Sequence, residues 1–99
     1  MSESKKNSGT VPRRAVYFEL CDLPGKEVLL TGSFDDWQER RRMNDKNGDG
    51  TYRCRMLLAP GVYQYKFLID GEWRVDPQNP NFQPNEFGSL NSVLEVTPK

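Results

Sequence analysis

Residues 51–69, TYRCRMLLAPGVYQYKFLI, carry the strongest structural signal in the chain. Apolar and polar side chains alternate on both sides of a break at residues 59–61, which is the two-residue period of a strand with one buried face. The break, Ala59-Pro60-Gly61, predicts that the two strands form a β-hairpin. The apolar sets of the two strands are Tyr52, Cys54, Met56 and Leu58, then Tyr63, Tyr65, Phe67 and Ile69.

Shorter strand signals lie on either side of this pair. Residues 15–20 alternate, residues 28–31 are an apolar run that ends at Gly32, and residues 92–96 form a last strand. Asp70-Gly71 is a tight turn, and the Pro- and Asn-rich residues 76–85 are expected to form a surface loop. Short strands separated by turns, with no sustained helical period, predict an all-β antiparallel β-sandwich.

The length of 99 residues corresponds to a single domain. Residues 1–12 are polar and contain almost nothing to bury, so we predict that they form a disordered tail. Residues 13–99 are expected to form the folded domain.

Charge and composition exclude several classes of protein. Fourteen basic residues balance 14 acidic ones, which argues against a nucleic-acid or anionic-membrane binder. The sequence has no apolar run of membrane-spanning length and no signal-peptide pattern at its start. Cys21 and Cys54 are too few for a disulfide framework and are expected to be small apolar side chains, although a single bridge between them stays open. These features predict a cytoplasmic protein.

Catalytic and metal-binding signals are weak. The chain has no histidine, and neither cysteine has a CxxC partner, so we expect no metal site and no cofactor. Residues 45–50, DKNGDG, match the first half of a calcium loop, but Met56 stands where a bidentate glutamate is required, so a turn is favoured. A glycosidase would need two carboxylates flanking a cleft. The available ones are better explained as turn-shaping groups: Asp35, Asp36, Asp70, Glu72, Asp76 and Glu86.

Two tryptophans stand out because each ends a polar turn. Trp37 follows GSFDD, and Trp73 follows IDGE. An exposed indole offers a flat apolar face and one N–H donor, which suits the apolar C–H face of a sugar ring. The alternative is that one or both indoles cover the edge of the core.

Polar side chains that could bond sugar hydroxyls occur nearby in the sequence. Lys66 lies on the outward face of a strand whose other face is aromatic, while Ser89 and Asn91 flank the start of the last strand. Their alternative roles are a solubilising lysine and a turn. The basic run Arg40-Arg41-Arg42 is interpreted as a solvated loop.

Three segments together resemble a known family. Residues 28–37 (VLLTGSFDDW), 60–73 (PGVYQYKFLIDGEW) and 87–94 (FGSLNSVL) are similar to the family-48 carbohydrate-binding modules, and among these to the glycogen-binding domains of AMP-activated protein kinase β subunits. The resemblance covers about residues 13–97. It implies an immunoglobulin-like antiparallel β-sandwich (early-set type) and an α-1,4-linked glucan, such as glycogen or starch, as ligand.

The resemblance also implies roles for individual residues. The tryptophans stack on glucose rings, a lysine and an asparagine bond hydroxyls, and a large loop residue packs against a curved glucan. The matching carbohydrate-binding positions are Trp37, Lys66, Trp73, Phe87, Ser89 and Asn91. Four positions depart from the family pattern: Phe87 for leucine, Ser89 for threonine, Ser92 for the second asparagine of a pair, and Asp36 for asparagine.

The leading hypothesis is therefore a non-catalytic module that binds α-1,4-glucan, either polysaccharide or maltooligosaccharide, and targets an associated protein to the polymer. The rival is a protein-interaction or regulatory domain of a kinase-type complex with little sugar affinity, whose partners would be other subunits or domains of a larger enzyme. A small glycosidase is disfavoured by the size of the domain and by the absence of a convincing acid/base pair.

Overall fold

The structure is a computed structural model that describes residues 12–98, and within that range the chain forms eight strands and one short 3-10 helix. The predicted tail lies outside the described residues except for Pro12, and the domain boundary stays a prediction. None of the described helices is long and apolar enough to cross a membrane. The strands are β1 (Arg14–Cys21), β2 (Val28–Gly32), β3 (Arg41–Arg42), β4 (Thr51–Leu58), β5 (Gly61–Ile69), β6 (Glu72–Arg74), β7 (Phe82–Pro84) and β8 (Leu90–Val96), and the 3-10 helix is Ser33–Asp35.

The strands form two antiparallel sheets. Strands β1 and β4 pair over their whole lengths, from Arg14 opposite Leu58 to Cys21 opposite Thr51. The second sheet has the order β3-β2-β5-β8-β7, and β6 pairs with the end of β5. This arrangement confirms the predicted all-β antiparallel sandwich.

The core fills the space between the two sheets. The inward side chains that were predicted from the two-residue period are buried or packed against the buried cluster, and Phe67 and Leu30 are fully enclosed. Phe18 from the smaller sheet meets Tyr65 from the larger one edge-on, with ring centroids 5.0 Å apart. Aromatic pairs of this geometry contribute beyond their buried area, so the period that predicted the strands also predicted the core.

The predicted hairpin at Ala59-Pro60-Gly61 is wrong, because β4 and β5 belong to different sheets. Both strands have apolar inward faces, and these faces are buried by packing against each other across the sandwich. The segment at Pro60 therefore carries the chain from one sheet to the other. The Tyr63 hydroxyl donates to the Ala59 carbonyl (2.6 Å) and holds this crossover.

Three smaller expectations also need correction. Residues 76–85 are not only a loop, since Phe82–Pro84 pair with β8, and Arg41–Arg42 in the basic run pair with β2. Both cysteines are free thiols, and Cys21 is exposed. Cys54 is partly buried, and this burial raises the pKa of its thiol.

The predicted turn at residues 45–50 is confirmed, because the Asp45 carboxylate accepts from the backbone N–H groups of Asp49 and Gly50.

The Tyr65 phenol is one of the groups that attach the loop after β6 to the core. The Tyr65 hydroxyl donates to the Asp76 carboxylate (2.7 Å) and accepts from the Asn79 amide (3.1 Å). The Asp76 N–H in turn donates to the Ser92 hydroxyl (2.7 Å). Burial holds the pKa of the Tyr65 phenol well above its usual value, so the group stays a neutral donor.

Replacing Tyr65 by phenylalanine is expected to lower the free energy of unfolding by about 1–2 kcal/mol, because Asp76 and Asn79 each lose a partner in a partly buried position. Urea denaturation measures the change. Tyr17→Phe is the matched control, since Tyr17 is 72% exposed and the same atom is removed from it. Equal stability of the two variants would contradict the assigned role of the Tyr65 hydroxyl.

Candidate functional site

The turn that carries Trp37 starts where β2 ends. Phe34 packs against the core, with its ring centroid 6.0 Å from that of Phe18. Asp36 and Trp37 then both adopt left-handed backbone conformations (φ 60° and 62°), and the Trp37 N–H donates to the Gly32 carbonyl (2.9 Å). The turn thus buries Phe34 and leaves the Trp37 side chain 39% exposed.

Trp73 lies on a hairpin whose turn was predicted. Asp70 and Gly71 have φ values of 48° and 83°, and Ile69 pairs with Glu72 across them. Two positive φ values in a two-residue loop define the turn that matches the twist of a hairpin. Trp73 pairs with Leu68, which faces away from the sandwich core, and is 47% exposed.

Lys66 lies on the same outer face of β5 but is not a solvated lysine. It is only 9% exposed, and its Nζ donates to the Ser89 hydroxyl (2.8 Å). An ammonium group has three donors, so donors remain after this bond. A surface depression of about 400 Å³ is lined by Lys66, Trp73, Arg74, Val75, Ser89 and Leu90.

Asn85 organises the loop that leads into β8. Its side-chain oxygen accepts from the backbone N–H groups of Phe87 (2.9 Å) and Ser89 (3.0 Å). Its amide donates to the Asn91 side-chain oxygen (3.0 Å), and the Asn91 amide donates to Gln64 (2.9 Å). The loop therefore presents Phe87 to solvent, 85% exposed, while it fixes the orientation of Asn91.

Ser92 has a structural role. Its register partner on β5 is Tyr65, whose side chain points into the core, and Ser92 is fully buried. Since its hydroxyl accepts from the Asp76 backbone, this departure from the family pattern lies away from the face that carries Lys66 and Asn91.

Two of the three arginines in the basic run contact the tryptophan motifs. The Arg40 guanidinium lies over the Trp73 ring, 5.5 Å from its centroid. Arg41 pairs with the Asp35 carboxylate at 3.6 Å, two residues before Trp37. The interpretation of this run as a solvated loop is therefore wrong for Arg40 and Arg41.

Of the carboxylates predicted to shape turns, Asp76 is confirmed in that role, whereas Asp70 and Glu72 have other partners. The Asp70 carboxylate accepts from the Glu27 backbone (2.8 Å), and that of Asp76 accepts from the Gln78 backbone (2.9 Å). Glu72 pairs with Arg74 at 2.9 Å. These groups are engaged in the local structure of turns and strands.

Sequence reasoning missed three residues of this region, namely Asn85, Gln64 and Arg40. Asn85 carried a usable signal, because an asparagine three residues before Gly88 is typical of a side chain that organises a turn. Gln64 alternates with Lys66 and so belongs to the same outer face. Arg40 had no local signal, since its partner Trp73 is distant in sequence.

Comparison with known proteins adds a family and several relatives. Residues 17–99 match the model described as the glycogen recognition site of AMP-activated protein kinase. The chain is 47% identical over 84 residues to FLOURY ENDOSPERM 6, a chloroplastic protein of Oryza sativa subsp. japonica. This match covers 85% of the present chain and 15% of the relative. The chain is also 50% identical over 54 residues to PTST homolog 2, a chloroplastic protein of Arabidopsis thaliana. This match covers 54% of the present chain and 10% of the relative.

A third relative comes from an animal. The chain is 36% identical over 72 residues to the 5'-AMP-activated protein kinase subunit beta-1 of Sus scrofa. This match covers 73% of the present chain and 56% of the relative. The chain thus spans less than two thirds of each of these relatives.

The two chloroplastic relatives overturn the expectation of a cytoplasmic location. That expectation rested on the low cysteine count and on the lack of a signal-peptide pattern. A low cysteine count describes a domain that needs no disulfides, and it does not separate one compartment that keeps thiols reduced from another. Since the match extends over residues 17–99 and the all-β fold agrees with it, the chain belongs to the family of glycogen-recognition domains found in AMP-activated protein kinase.

Proposed function

We propose that this domain binds α-1,4-linked glucans without cleaving them. Trp37 and Trp73 stack on sugar rings, while Lys66 and Asn91 bond ring hydroxyls. Ser89 holds the Lys66 ammonium in place, and Phe87 supplies a third apolar contact at the loop tip. The observation that carries the proposal is the shared depression in which a largely buried lysine lies beside a half-exposed indole.

The chemistry of this surface suits a neutral sugar. The indole supplies a flat apolar face for ring C–H groups, and Lys66 supplies charged donors for hydroxyl oxygens. Asn91 is orientated by its bonds to Asn85 and Gln64, so its remaining donor and acceptor capacity is directed in advance. Such orientation reduces the ordering cost of binding.

Magnitudes favour a moderate affinity. Stacking on an aromatic side chain contributes roughly 1–3 kcal/mol by analogy with nucleic-acid bases. Net hydrogen bonds add about 0.5–1.5 kcal/mol each. A shallow site with two or three anchors therefore predicts a Kd on the order of micromolar, which is sufficient on a polymer that repeats the same site many times.

Four of the carboxylates near the site have partners within the domain. Asp70 and Asp76 accept backbone hydrogen bonds, and Asp35 and Glu72 pair with arginines. A hydrolase needs two carboxyl groups free to face a bound glycosidic bond from opposite sides. The partners of Asp35, Asp70, Glu72 and Asp76 support binding without cleavage.

Titration of tryptophan fluorescence tests the proposal. We expect saturable changes with maltoheptaose and with β-cyclodextrin, because the α-1,4 linkage gives both a natural curvature, and no change with cellohexaose. Absence of a response to all three sugars would reject glucan binding and move the function to the rival, a protein-interaction or regulatory domain. That rival is supported by the name of a relative in Arabidopsis thaliana, a protein kinase regulatory subunit that is 41% identical over 72 residues.

The lengths of the relatives extend the proposal. Since the chain matches only a fraction of each relative, we infer that the domain targets an attached or associated protein to the polymer. The chloroplastic relatives favour a plastid location for this activity.

A further inference from the structure

The Arg40-Arg41 dipeptide contacts both tryptophan motifs at once. Arg40 lies over the Trp73 ring at 5.5 Å, and Arg41 pairs with Asp35 in the turn that carries Trp37. The two motifs are otherwise 36 residues apart in sequence, counted from 37 to 73. One short segment therefore joins two loops that the proposed function requires to act together.

The ion pair between Arg41 and Asp35 attaches the segment to the Trp37 turn. Both Asp35 carboxylate oxygens are buried and lack a hydrogen-bond donor among the described residues, and Arg41 is the cation beside them. Arg41 also lies opposite Leu30 of β2 and contacts Glu39 at 3.9 Å. A buried carboxylate without its cation is strongly unfavourable, so Arg41 holds the Trp37 turn against the sheet.

The cation–π contact between Arg40 and Trp73 attaches the same segment to the second tryptophan motif. Arg40 is exposed and does not line the depression formed by Lys66, Trp73 and Ser89. Its guanidinium therefore contacts the Trp73 ring without contributing to the lining of that depression. A guanidinium over an indole restricts the ring through a favourable electrostatic contact.

We propose that Arg40 and Arg41 are positioning residues that fix Trp37 and Trp73 relative to each other. This inference rests on the proposed function and adds a specific consequence to it. A glucan long enough to contact both indoles gains from their fixed spacing, because less ordering is needed on binding. A disaccharide gains little.

The first test needs no ligand. In a Trp37→Phe background the fluorescence reports Trp73 alone, and Arg40→Ala should red-shift its emission and increase quenching by acrylamide. Asp35→Asn combined with Arg41→Gln should give the same changes, because the segment that carries Arg40 is released. The double variant removes both charges and so avoids a lone buried carboxylate. Arg42→Ala is the control, since Arg42 lies on the same short strand and is exposed. Unchanged Trp73 emission in both test variants would overturn the proposal.

The second test compares ligand lengths by calorimetry with maltoheptaose and by chemical-shift titration with maltose. We expect the double variant to bind maltoheptaose about fivefold more weakly and maltose with an unchanged Kd. The fivefold figure corresponds to the loss of one exposed cation–π contact, which leaves Trp73 less ordered before binding. Equal losses for both sugars would indicate a general structural defect and overturn the positioning role. If the unaltered domain binds maltoheptaose and the double variant binds it equally well, only the positioning role of Arg40 and Arg41 is rejected. If the unaltered domain does not bind maltoheptaose, the proposed function is rejected. The fluorescence test then still shows whether Arg40 contacts Trp73.

Discussion

Replacing Trp73 by alanine is expected to lower the affinity for maltoheptaose by at least about tenfold, which corresponds to the loss of one stacked ring. The free energy of unfolding should change by less than about 1 kcal/mol, since the residue is half-exposed on an edge hairpin and leaves no enclosed cavity. Trp37→Ala should behave in the same way, because Phe34 and not Trp37 is the residue of that turn that packs against the core. Calorimetric titration and urea denaturation measure the two quantities.

The control for these variants is Tyr17→Ala. Tyr17 is also a large exposed aromatic residue, but it lies on β1, in the other sheet of the sandwich. Its removal should leave glucan affinity unchanged. If Trp37→Ala or Trp73→Ala binds as well as the unaltered domain, the assignment of that residue is wrong. If a tryptophan variant loses stability in step with affinity, the indole covers the core edge, which is the alternative that the sequence left open.

Much of this fold could be predicted because its signals are local. The alternation in β4 and β5 specifies which side chains face inward, and Asp70-Gly71 specifies a two-residue turn, so both the core and the position of Trp73 follow from neighbouring residues. The pairing of strands is not local. Pro60 breaks a strand equally well in a hairpin and in a crossover between sheets, and only the packing of two apolar faces selects the crossover.

The same distinction applies to the candidate site. Lys66 was placed on the outer face correctly, but its burial depends on Ser89, which is 23 residues away. Arg40 was misjudged for a similar reason, because its partner Trp73 approaches it only in the folded chain. Exposed side chains become candidates from composition and spacing, whereas their partners come from tertiary structure.

Gly50 provides the most severe test of the fold itself. It has φ +86°, and a Cβ atom on it would lie 1.9 Å from the Asp22 carbonyl oxygen. The Asp22 N–H donates to the Gly50 carbonyl (2.8 Å), just beyond the last β1–β4 pair. The neighbouring Tyr52 hydroxyl donates to the Leu23 carbonyl (2.6 Å), so this corner joins the two strands of the smaller sheet by several bonds.

Gly50→Ala is therefore expected to lower the free energy of unfolding by about 3 kcal/mol or more. Roughly 1–2 kcal/mol comes from a side chain in the left-handed conformation, and about 1–3 kcal/mol from moving the backbone out of contact. Gly48→Ala isolates the first contribution, so the difference between the two variants measures the second. Gly48 also has positive φ (+70°), but a Cβ atom there would meet nothing within 4 Å.

Urea denaturation of the two alanine variants should thus show a much larger loss for Gly50 than for Gly48, for which about 1 kcal/mol is expected. Against a total stability of roughly 5–15 kcal/mol for a domain, the Gly50 change removes a large share. Equal losses in the two variants would show that the corner relaxes without cost, and that Asp22 and Gly50 do not hold β1 and β4 in register. Glucan affinity of the folded fraction should persist in both variants, because the corner belongs to the smaller sheet and the proposed site lies on the outer face of the larger one.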